Sequence, residues 1–346
     1  MLKIYGNNYY FIIEQMKVVV DKAIPFIGGV LEPYAEVVYL DGAYIDSTAI
    51  KGCDALIVRT RTHCDSRLLD GSDVRFIATA TIGRDHIDER YCHNAGITVY
   101  SAPGCNARGV LQWVASALHH IAVTDGRKPQ DYTLGVVGVG NVGSLVVEYA
   151  RAWGYRVLQC DPPRKEREGG DFIAIDELLH KADIITLHTP LDNTTRHLIN
   201  PESIARMKPN AIVINASRGG VVDNKAMAES NHRYIFDVWE GEPKIDPEVL
   251  RHATLATPHI AGYSLQGKAN ATAMVVRAFA KHFGIPLTDW YPKDIEPTSP
   301  RTINWEELSS SIADYCDIAS ETSSLKLHPE EFEAMRNGYA YRQEYF

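Results

Sequence analysis

Three polar side chains in the second half of the sequence have the types needed to oxidise an alcohol. Arg218, Glu242 and His259 each follow a short apolar run. Hydride transfer from an alcohol needs a base for the hydroxyl proton, and histidine ionises near neutral pH. Glu242 would stabilise the charged imidazole, and the planar guanidinium of Arg218 would hold a substrate carboxylate. His188 is a rival base, so spacing alone leaves this assignment open.

A glycine pattern earlier in the chain indicates a dinucleotide site. Gly138, Gly140 and Gly143 form a GxGxxG sequence between an apolar run and an amphipathic stretch, and Asp161 ends the next apolar run. The glycines let the backbone approach a pyrophosphate, and the helix that follows offers free N–H groups. Asp161 can accept hydrogen bonds from a ribose 2′-hydroxyl and would repel a 2′-phosphate. We therefore predict a Rossmann domain that prefers NAD over NADP, a preference that the basic pair 164–165 could weaken.

Short β-branched runs alternate with helical patterns along most of the chain. Continuous apolar runs of this length are typical of buried parallel strands. They form two series, residues 16–21, 55–60, 76–79 and 96–100, then 134–138, 155–159, 183–187, 211–215 and 234–238. Two series of βα units predict an α/β fold with two doubly wound parallel-sheet domains.

Two longer helical patterns and a C-terminal tail complete the organisation. Residues 109–125 have helical spacing that fits either a bridge between the domains or a helix inside one of them. Residues 267–283 could return the chain to the first domain. After a proline-rich stretch, residues 305–346 are too few to form a core easily, so we expect them to pack on the body or on a second subunit.

Composition excludes several classes of protein. The 346 residues carry a formal net charge of −9, and 45% of them are hydrophobic. This length allows about two domains with sizeable cores, and an acidic balance disfavours nucleic-acid binding. The six cysteines form no CxxC pair or zinc-type cluster, which predicts no metal site and a reducing, cytoplasmic environment. We expect no membrane span, and residues 1–15 are too short and too polar for a signal peptide.

The order of these motifs resembles that of the D-2-hydroxyacid dehydrogenase superfamily, in which a glycine loop precedes Arg, Glu and His in the positions of Arg218, Glu242 and His259. Further stretches narrow the resemblance to the branch that oxidises 4-phospho-D-erythronate in vitamin B6 synthesis. These stretches are residues 80–88, 102–107, 160–163, 237–243, 257–263, 265–269 and 332–342. The resemblance covers nearly all of the chain from Met16 onward.

The resemblance implies NAD-dependent oxidation at C2, which gives 2-oxo-3-hydroxy-4-phosphobutanoate. It implies that His259 is the acid/base, that Glu242 is its partner and that Arg218 orients the substrate. Cofactor contacts are expected at Gly138, Gly140, Asn141, Val142, Gly143, Asp161, Thr189, Asp237 and Gly262. Substrate contacts are expected at Thr60, Thr81 and Tyr263.

The substrate phosphate needs Arg or Lys donors. Arg59 and Arg61, at the end of an apolar run, are our leading candidates. Arg336 or Arg342 of the tail could contribute from a partner subunit.

The resemblance also implies a domain plan and a homodimer. The expected parts are an N-terminal extension at 1–15, a flavodoxin-like substrate-binding domain at 16–107 and 267–286, a Rossmann NAD-binding domain at 108–266, and a C-terminal dimerisation segment at 287–346. In the Arg218 loop, Ser217 and Gly220 stand where Cys and Pro are usual. The chain is also shorter than usual between Asp223 and Tyr234 and in its C-terminal region.

Two alternatives stay open because Arg218, Glu242 and His259 are shared across the superfamily. One is another D-2-hydroxyacid dehydrogenase, acting on phosphoglycerate or on an unphosphorylated 2-hydroxy acid. The other is a non-catalytic, NADH-sensing corepressor, which the tail and the lack of long disordered flanks disfavour.

Overall fold

The computed structural model describes residues 16–346, so the predicted extension at 1–15 lies outside the described residues. The chain divides into two compact units. The first comprises the described residues up to Pro103 together with Ala271–Pro292. The second comprises Gly104–Asn270 and Lys293–Phe346, so it includes the C-terminal tail.

Within the described chain, the first unit has a five-stranded parallel sheet in the order β2-β1-β3-β4-β5. Its strands are β1 (Lys17–Asp21), β2 (Glu36–Leu40), β3 (Ala55–Val58), β4 (Phe76–Thr79) and β5 (Thr98–Tyr100), and its short helices are α1 (Ser66–Leu69) and α2 (Glu89–Asn94). This strand order is flavodoxin-like, as expected. The sequence analysis did not single out β2, an edge strand whose side chains are mostly only half-buried.

Apolar side chains cover both faces of this sheet. One face packs Leu56 and Ile77 against Leu68 and other buried residues. On the other face, Phe279 belongs to the segment Ala271–Pro292 of the same unit, and its ring lies 6.0 Å from that of Phe76. The strands are therefore buried on both sides, which explains their continuous apolar runs.

Over the same described residues, the second unit has a six-stranded parallel sheet in the order β11-β10-β9-β8-β6-β7. Its strands are β6 (Thr133–Val137), β7 (Arg156–Cys160), β8 (Ile184–Leu187), β9 (Ile212–Asn215), β10 (Arg233–Phe236) and β11 (Leu255–Ala256). A single parallel bridge from Gln159 to Phe172 extends the sheet beyond β7. The order is that of a Rossmann sheet whose third strand is reduced to this bridge. The predicted fold class, two doubly wound parallel-sheet domains, is confirmed.

Helices connect and cover these strands. They are α3 (Ala107–Asp125), α4 (Asn141–Trp153), α5 (Pro162–Glu168), α6 (Ile175–Lys181), α7 (Pro201–Ile204), α8 (Asn224–Glu229), α9 (Pro247–His252) and α10 (Leu265–Phe283). Helix α3 lies entirely in the second unit. Of the two placements that its sequence left open, it is therefore a helix inside one unit and not a bridge. Helix α10 continues from the second unit into the first.

The tail folds onto the second unit through α11 (Trp305–Tyr315), α12 (Ile318–Leu327) and α13 (Phe332–Gly338). It adds buried apolar side chains, Leu308 and Ile312 among them, to the core around α3 and α4. The C-terminal Phe346 is completely buried, and its ring lies 5.4 Å from Tyr149 and 6.0 Å from Trp153. The tail therefore packs on the body of its own chain, while its use in dimerisation stays a prediction.

In the part of the chain that the structure describes, none of the helices combines the length and apolar character needed to cross a membrane. The six cysteines are all buried and free of disulfide bonds.

Replacement of Phe346 by Ala should lower the free energy of unfolding by about 3 kcal/mol, because it leaves a cavity beside Trp153. Urea unfolding followed by tryptophan fluorescence measures this change. Tyr44→Ala is the matched control, because it removes a ring that is 75% exposed and should change stability by less than about 0.5 kcal/mol. Equal midpoints for the two variants would show that the tail contributes no such packing.

Candidate active site

The parallel sheet of the second unit brings most of the predicted site residues to one edge. Its strands all run the same way, so their carboxyl ends meet at that edge, where open α/β sheets bind ligands. The predicted residues that closely follow strand ends are Gly138, Asp161, Thr189, Arg218, Asp237 and His259.

The acid/base pair expected from the sequence forms. His259 Nδ1 lies 2.5 Å from Glu242 Oε1, and the backbone N–H of Trp239 donates to Glu242 Oε2 at 3.2 Å. Burial alone would raise the pKa of Glu242, but the hydrogen bond and charge of His259 outweigh it, so this pKa lies below its usual value. The other ring nitrogen, His259 Nε2, has no hydrogen-bond partner among residues 16–346 and is available to a substrate.

A buried carboxylate holds the backbone on both sides of His259. Asp237 is 1% exposed and accepts hydrogen bonds from the Thr257 hydroxyl at 2.6 Å and from the N–H groups of Ile260 and Ala261 at 2.7 and 3.0 Å. His259 itself has φ = 57°, a left-handed conformation that is uncommon outside glycine. Burial raises the pKa of Asp237, and the charge of His259 together with these hydrogen bonds opposes that rise. Its expected contact with the cofactor stays a prediction.

Arg342 holds the same loop from the side of the tail. Its guanidinium is buried and donates to the carbonyl oxygens of Ile260 at 3.1 Å, Gly109 at 2.9 Å, and Ala261. The backbone N–H of Leu265 donates to the Arg342 carbonyl at 2.9 Å. The sequence suggests that Arg342 could reach the substrate from a partner subunit, but its two terminal nitrogens donate to carbonyls of its own unit, which hold the side chain there.

The Arg218 turn lies against the loop that carries Glu242. A Cβ added to Gly219 would overlap the backbone of Trp239, so only glycine allows this approach. Arg218 donates from Nη1 to the Ser217 carbonyl at 2.9 Å, and Asn215 Nδ2 donates to the Arg218 carbonyl at 3.0 Å. The structure thus packs the turn of the substrate-orienting candidate beside the loop of the acid/base pair.

The glycine loop has the shape expected of a phosphate-binding turn. Gly138 has φ = 81°, and a Cβ there would lie 2.8 Å from the His188 carbonyl. A Cβ at Gly143 would overlap the Gly138 carbonyl. Helix α4 then begins at Asn141, so its first N–H groups point out of the loop toward any bound phosphate.

Asp161 ties this loop to the next helix. Its carboxylate accepts from the N–H of Val139 at 2.8 Å and of Arg164 at 2.9 Å, which leaves lone pairs for a ribose hydroxyl. The Arg164 guanidinium is paired with Glu168 at 2.7 Å and also donates to the Val139 carbonyl at 2.7 Å. Because Arg164 already has these partners, it is less able to bind the 2′-phosphate of NADP. The weakening of the NAD preference that the sequence suggested is therefore limited.

Two buried polar atoms fit a bound dinucleotide. The Thr189 hydroxyl and Asn106 Oδ1 are buried and have no hydrogen-bond partner within the described chain. The Thr189 side chain lies beside Gly138, and the Asn106 side chain lies so close to Gly262 that a Cβ on this glycine would overlap the Asn106 amide. A cofactor with several hydroxyl and amide groups would satisfy both atoms, whereas buried polar groups without a partner are otherwise costly. The residues present therefore fit NAD.

His188, the rival base, has a different environment. Its Nε2 lies 2.9 Å from the Thr186 hydroxyl, and burial lowers the pKa of His188 to about 3. An imidazole with so low a pKa is a weak base near pH 7. The structure therefore favours His259.

The remaining predicted substrate residues belong to the first unit. Arg59 follows β3 and donates from Nη1 to the Ala23 carbonyl at 2.8 Å, while the neighbouring Thr60 and Arg61 are exposed. Thr81 follows β4, and its hydroxyl lies 2.7 Å from that of Thr79. These positions follow strand ends of the other sheet, and their substrate contacts stay predictions.

The sequence analysis missed two groups near predicted residues. In the first unit, His86 Nε2 lies 3.0 Å from the Thr79 hydroxyl, and burial lowers the pKa of His86 to about 4. In the second, the Lys268 ammonium lies 3.7 Å from the centre of the Tyr263 ring. Both residues lie in stretches on which the family resemblance rests, and this position was the one sequence feature that could have identified them.

One group of metal-type ligands occurs among the described residues. It consists of His328, Glu330 and Glu331 in the tail, and all three are exposed. Exposed carboxylates of this kind are common without an ion, so the cluster does not define a metal site.

Comparisons with known proteins place this site in a family. Residues 110–261 match the family model described as D-isomer specific 2-hydroxyacid dehydrogenase, NAD binding domain. An erythronate-4-phosphate dehydrogenase of Bacteroides fragilis is 44% identical over 342 residues, which are 95% of this chain and 97% of that relative. A protein of the same name from Azotobacter vinelandii is 44% identical over 280 residues, covering 78% of this chain and 74% of its own.

Solved structures agree with this assignment. A D-lactate dehydrogenase from Aquifex aeolicus in complex with NAD and lactic acid has a TM-score of 0.65 at 25% identity, over 82% of this chain and 100% of its own. An NAD+-bound 3-phosphoglycerate dehydrogenase from Entamoeba histolytica has a TM-score of 0.64 at 26% identity, over the same shares of the two chains. The chain therefore belongs to the erythronate-4-phosphate dehydrogenases, a family of NAD-dependent D-isomer-specific 2-hydroxyacid dehydrogenases.

Proposed function

We propose that this protein oxidises the C2 hydroxyl of 4-phospho-D-erythronate with NAD, giving 2-oxo-3-hydroxy-4-phosphobutanoate for vitamin B6 synthesis. The observation that carries the proposal is the His259–Glu242 pair, joined at 2.5 Å in the unit that also holds the glycine loop. The relatives that bear this enzyme's name support the choice of substrate.

The proton of the C2 hydroxyl passes to His259 Nε2, which has no other partner among the described residues. Glu242 accepts from Nδ1 and stabilises the imidazolium as it forms. Bound NAD supplies the acceptor for the hydride that leaves C2, and the C2–O bond becomes a carbonyl. In the reverse reaction the same nitrogen returns the proton to the oxygen.

Arg218 orients the substrate in this proposal. Its guanidinium presents a planar fork that matches a carboxylate at two points, which holds C2 in one orientation. The packing of Gly219 on the backbone of Trp239 supports this role, because it keeps the Arg218 turn beside the Glu242 loop. A fixed orientation of this kind lowers the entropic part of the barrier.

A phosphoglycerate dehydrogenase is the second candidate, because the solved 3-phosphoglycerate dehydrogenase from Entamoeba histolytica shares the fold at 26% identity. The non-catalytic corepressor has no comparable support.

We also propose that the protein is a cytoplasmic homodimer. Six buried, free cysteines are consistent with a reducing compartment, and sedimentation velocity of the purified protein tests the dimer.

The activity is tested by NADH absorbance with 4-phosphoerythronate, 3-phosphoglycerate and D-lactate in parallel. We expect robust turnover of the first substrate. Turnover of the second or third without the first would contradict the proposal.

His259→Gln should lower kcat by about 100-fold to 10,000-fold, because the glutamine cannot take the hydroxyl proton. The Kd for NADH, measured by fluorescence, should stay within about twofold, since the residue is proposed to act on the substrate. His252→Gln, at an exposed position on α9, is the matched control and should keep the wild-type rate. A wild-type rate in the His259 variant would remove the proposed mechanism.

Glu242→Gln should lower kcat by about 10-fold to 100-fold at neutral pH, because a neutral amide cannot stabilise the imidazolium that forms on His259. Because the pKa of Glu242 is lowered, its carboxylate is ionised throughout the neutral range in the wild type. NADH absorbance measures the rate, and an unchanged kcat would mean that the carboxylate does not act on His259.

Asp161→Asn should reduce the preference for NAD over NADP at least about tenfold, because it removes the charge that repels a 2′-phosphate. Asparagine keeps a side-chain oxygen for the N–H groups of Val139 and Arg164, so the loop should stay intact. Asp161→Ala removes both functions and serves as the comparison. If kcat/KM for each cofactor is unchanged in the asparagine variant, Asp161 does not select the cofactor.

A further inference from the structure

Helix α13 of the tail brings a cation to the residue that follows the catalytic loop. Arg336 Nε donates to the Tyr263 hydroxyl at 3.2 Å. The backbone N–H of Tyr263 donates to the Ile260 carbonyl at 2.8 Å, so the tyrosine is fixed to the loop that carries His259. Phe332, 1% exposed, anchors the first turn of α13 in the core. Arg336 is therefore held beside the acid/base pair by its own chain.

A second cation flanks the same tyrosine from a different element. Lys268, on α10, places its ammonium 3.7 Å from the centre of the Tyr263 ring and 5.3 Å from that of Tyr341. Lys268, Tyr263 and Arg336 are all partly buried. One positive charge from α13 thus contacts the hydroxyl of Tyr263 and another from α10 lies over its ring, and two cations around one phenol are suited to an anion.

The Arg336 guanidinium has donors to spare. Within residues 16–346 its hydrogen bond to Tyr263 is the only one it makes, and it forms no ion pair. The nearby carboxylate of Glu242 lowers the cost of this charge but is itself bound to His259. Burial opposes the charge of Arg336, but Tyr263 and the carboxylates of Glu242 and Asp237 outweigh it and raise the pKa of Arg336, so the guanidinium stays charged. Its remaining N–H groups match the oxygens of a phosphate.

We propose that Arg336 and Lys268, beside Tyr263, form the subsite for the phosphate group of the substrate. This inference rests on the function proposed above. It gives the tail a role in substrate specificity within its own chain, whereas the sequence analysis assigns Arg336 a possible contact from a partner subunit. It also moves the principal phosphate contact from Arg59 and Arg61, in the first unit, to the unit that holds His259.

The test compares Arg336→Gln with the matched control Arg251→Gln, which removes an exposed arginine paired with Glu248 on α9. We expect the KM for 4-phosphoerythronate to rise about 10-fold to 100-fold in the Arg336 variant. The inhibition constant of inorganic phosphate should rise in parallel. Neither value should change in the control, and the Kd for NADH should stay the same in both.

Conservative and neighbouring variants separate phosphate binding from a merely structural role. Arg336→Lys keeps the charge and should restore part of the phosphate affinity. Lys268→Gln should raise the KM about threefold to tenfold without changing the Kd for NADH. An unchanged KM and inhibition constant in both glutamine variants would overturn the subsite. So would a loss of NADH affinity that equals the loss of phosphate affinity, because it would indicate a disturbed fold.

Arg59→Ala distinguishes the two units as the source of the phosphate contact. A large rise in KM for that variant, with none for Arg336→Gln, would assign the phosphate to the first unit and overturn the proposal. Failure of the proposed function is recognised separately, because the wild type would then not oxidise 4-phosphoerythronate at all. In that event, calorimetric titration of the NADH-loaded protein with inorganic phosphate decides the subsite, since weaker binding to Arg336→Gln supports it and equal binding rejects it.

Discussion

The catalytic loop depends on one buried carboxylate at the end of β10. Asp237 binds the Thr257 hydroxyl and the N–H groups of Ile260 and Ala261, so it holds the chain on both sides of His259. These hydrogen bonds offset the cost of burying a charge, and they keep His259 in a left-handed conformation that a free loop would rarely adopt. Because the backbone is fixed, the imidazole meets Glu242 at 2.5 Å. The contact between the proposed base and its partner is therefore fixed at the edge of the sheet.

The C-terminal tail completes the same loop with the opposite charge. The N–H groups of Ile260 and Ala261 face Asp237, and their carbonyl oxygens accept from Arg342. The N–H and carbonyl groups of Ile260 and Ala261 are thus hydrogen-bonded to two buried side chains, one that follows β10 and one from the tail. Burial of Phe346 against the second unit keeps the tail in place. In this chain the tail belongs to the catalytic unit, whatever part it also takes in association.

Local charge, and not the charge of the whole chain, matters for an anionic substrate. The formal net charge is −9, yet Arg218, Lys268 and Arg336 all lie in the second unit with the acid/base pair. A phosphorylated 2-hydroxy acid carries a carboxylate at one end and a phosphate at the other, so it needs two separate groups of donors. A fold that keeps both groups near one histidine can select substrate length as well as charge.

Much of the fold and of the candidate site could be predicted from local sequence patterns. Buried parallel strands require continuous apolar runs, and a phosphate-binding turn requires glycines at set positions, so both sheets and the loop at Gly138–Gly143 were predictable. The order of Arg218, Glu242 and His259 predicted the chemistry that we propose. The edge strand β2 was missed because edge positions impose a weaker pattern. The contacts of Arg336 and Arg342 join residues 73 and 82 positions apart. Only the tertiary structure decided those contacts, because they depend on how the tail packs against the sheet edge and not on any local preference of the chain.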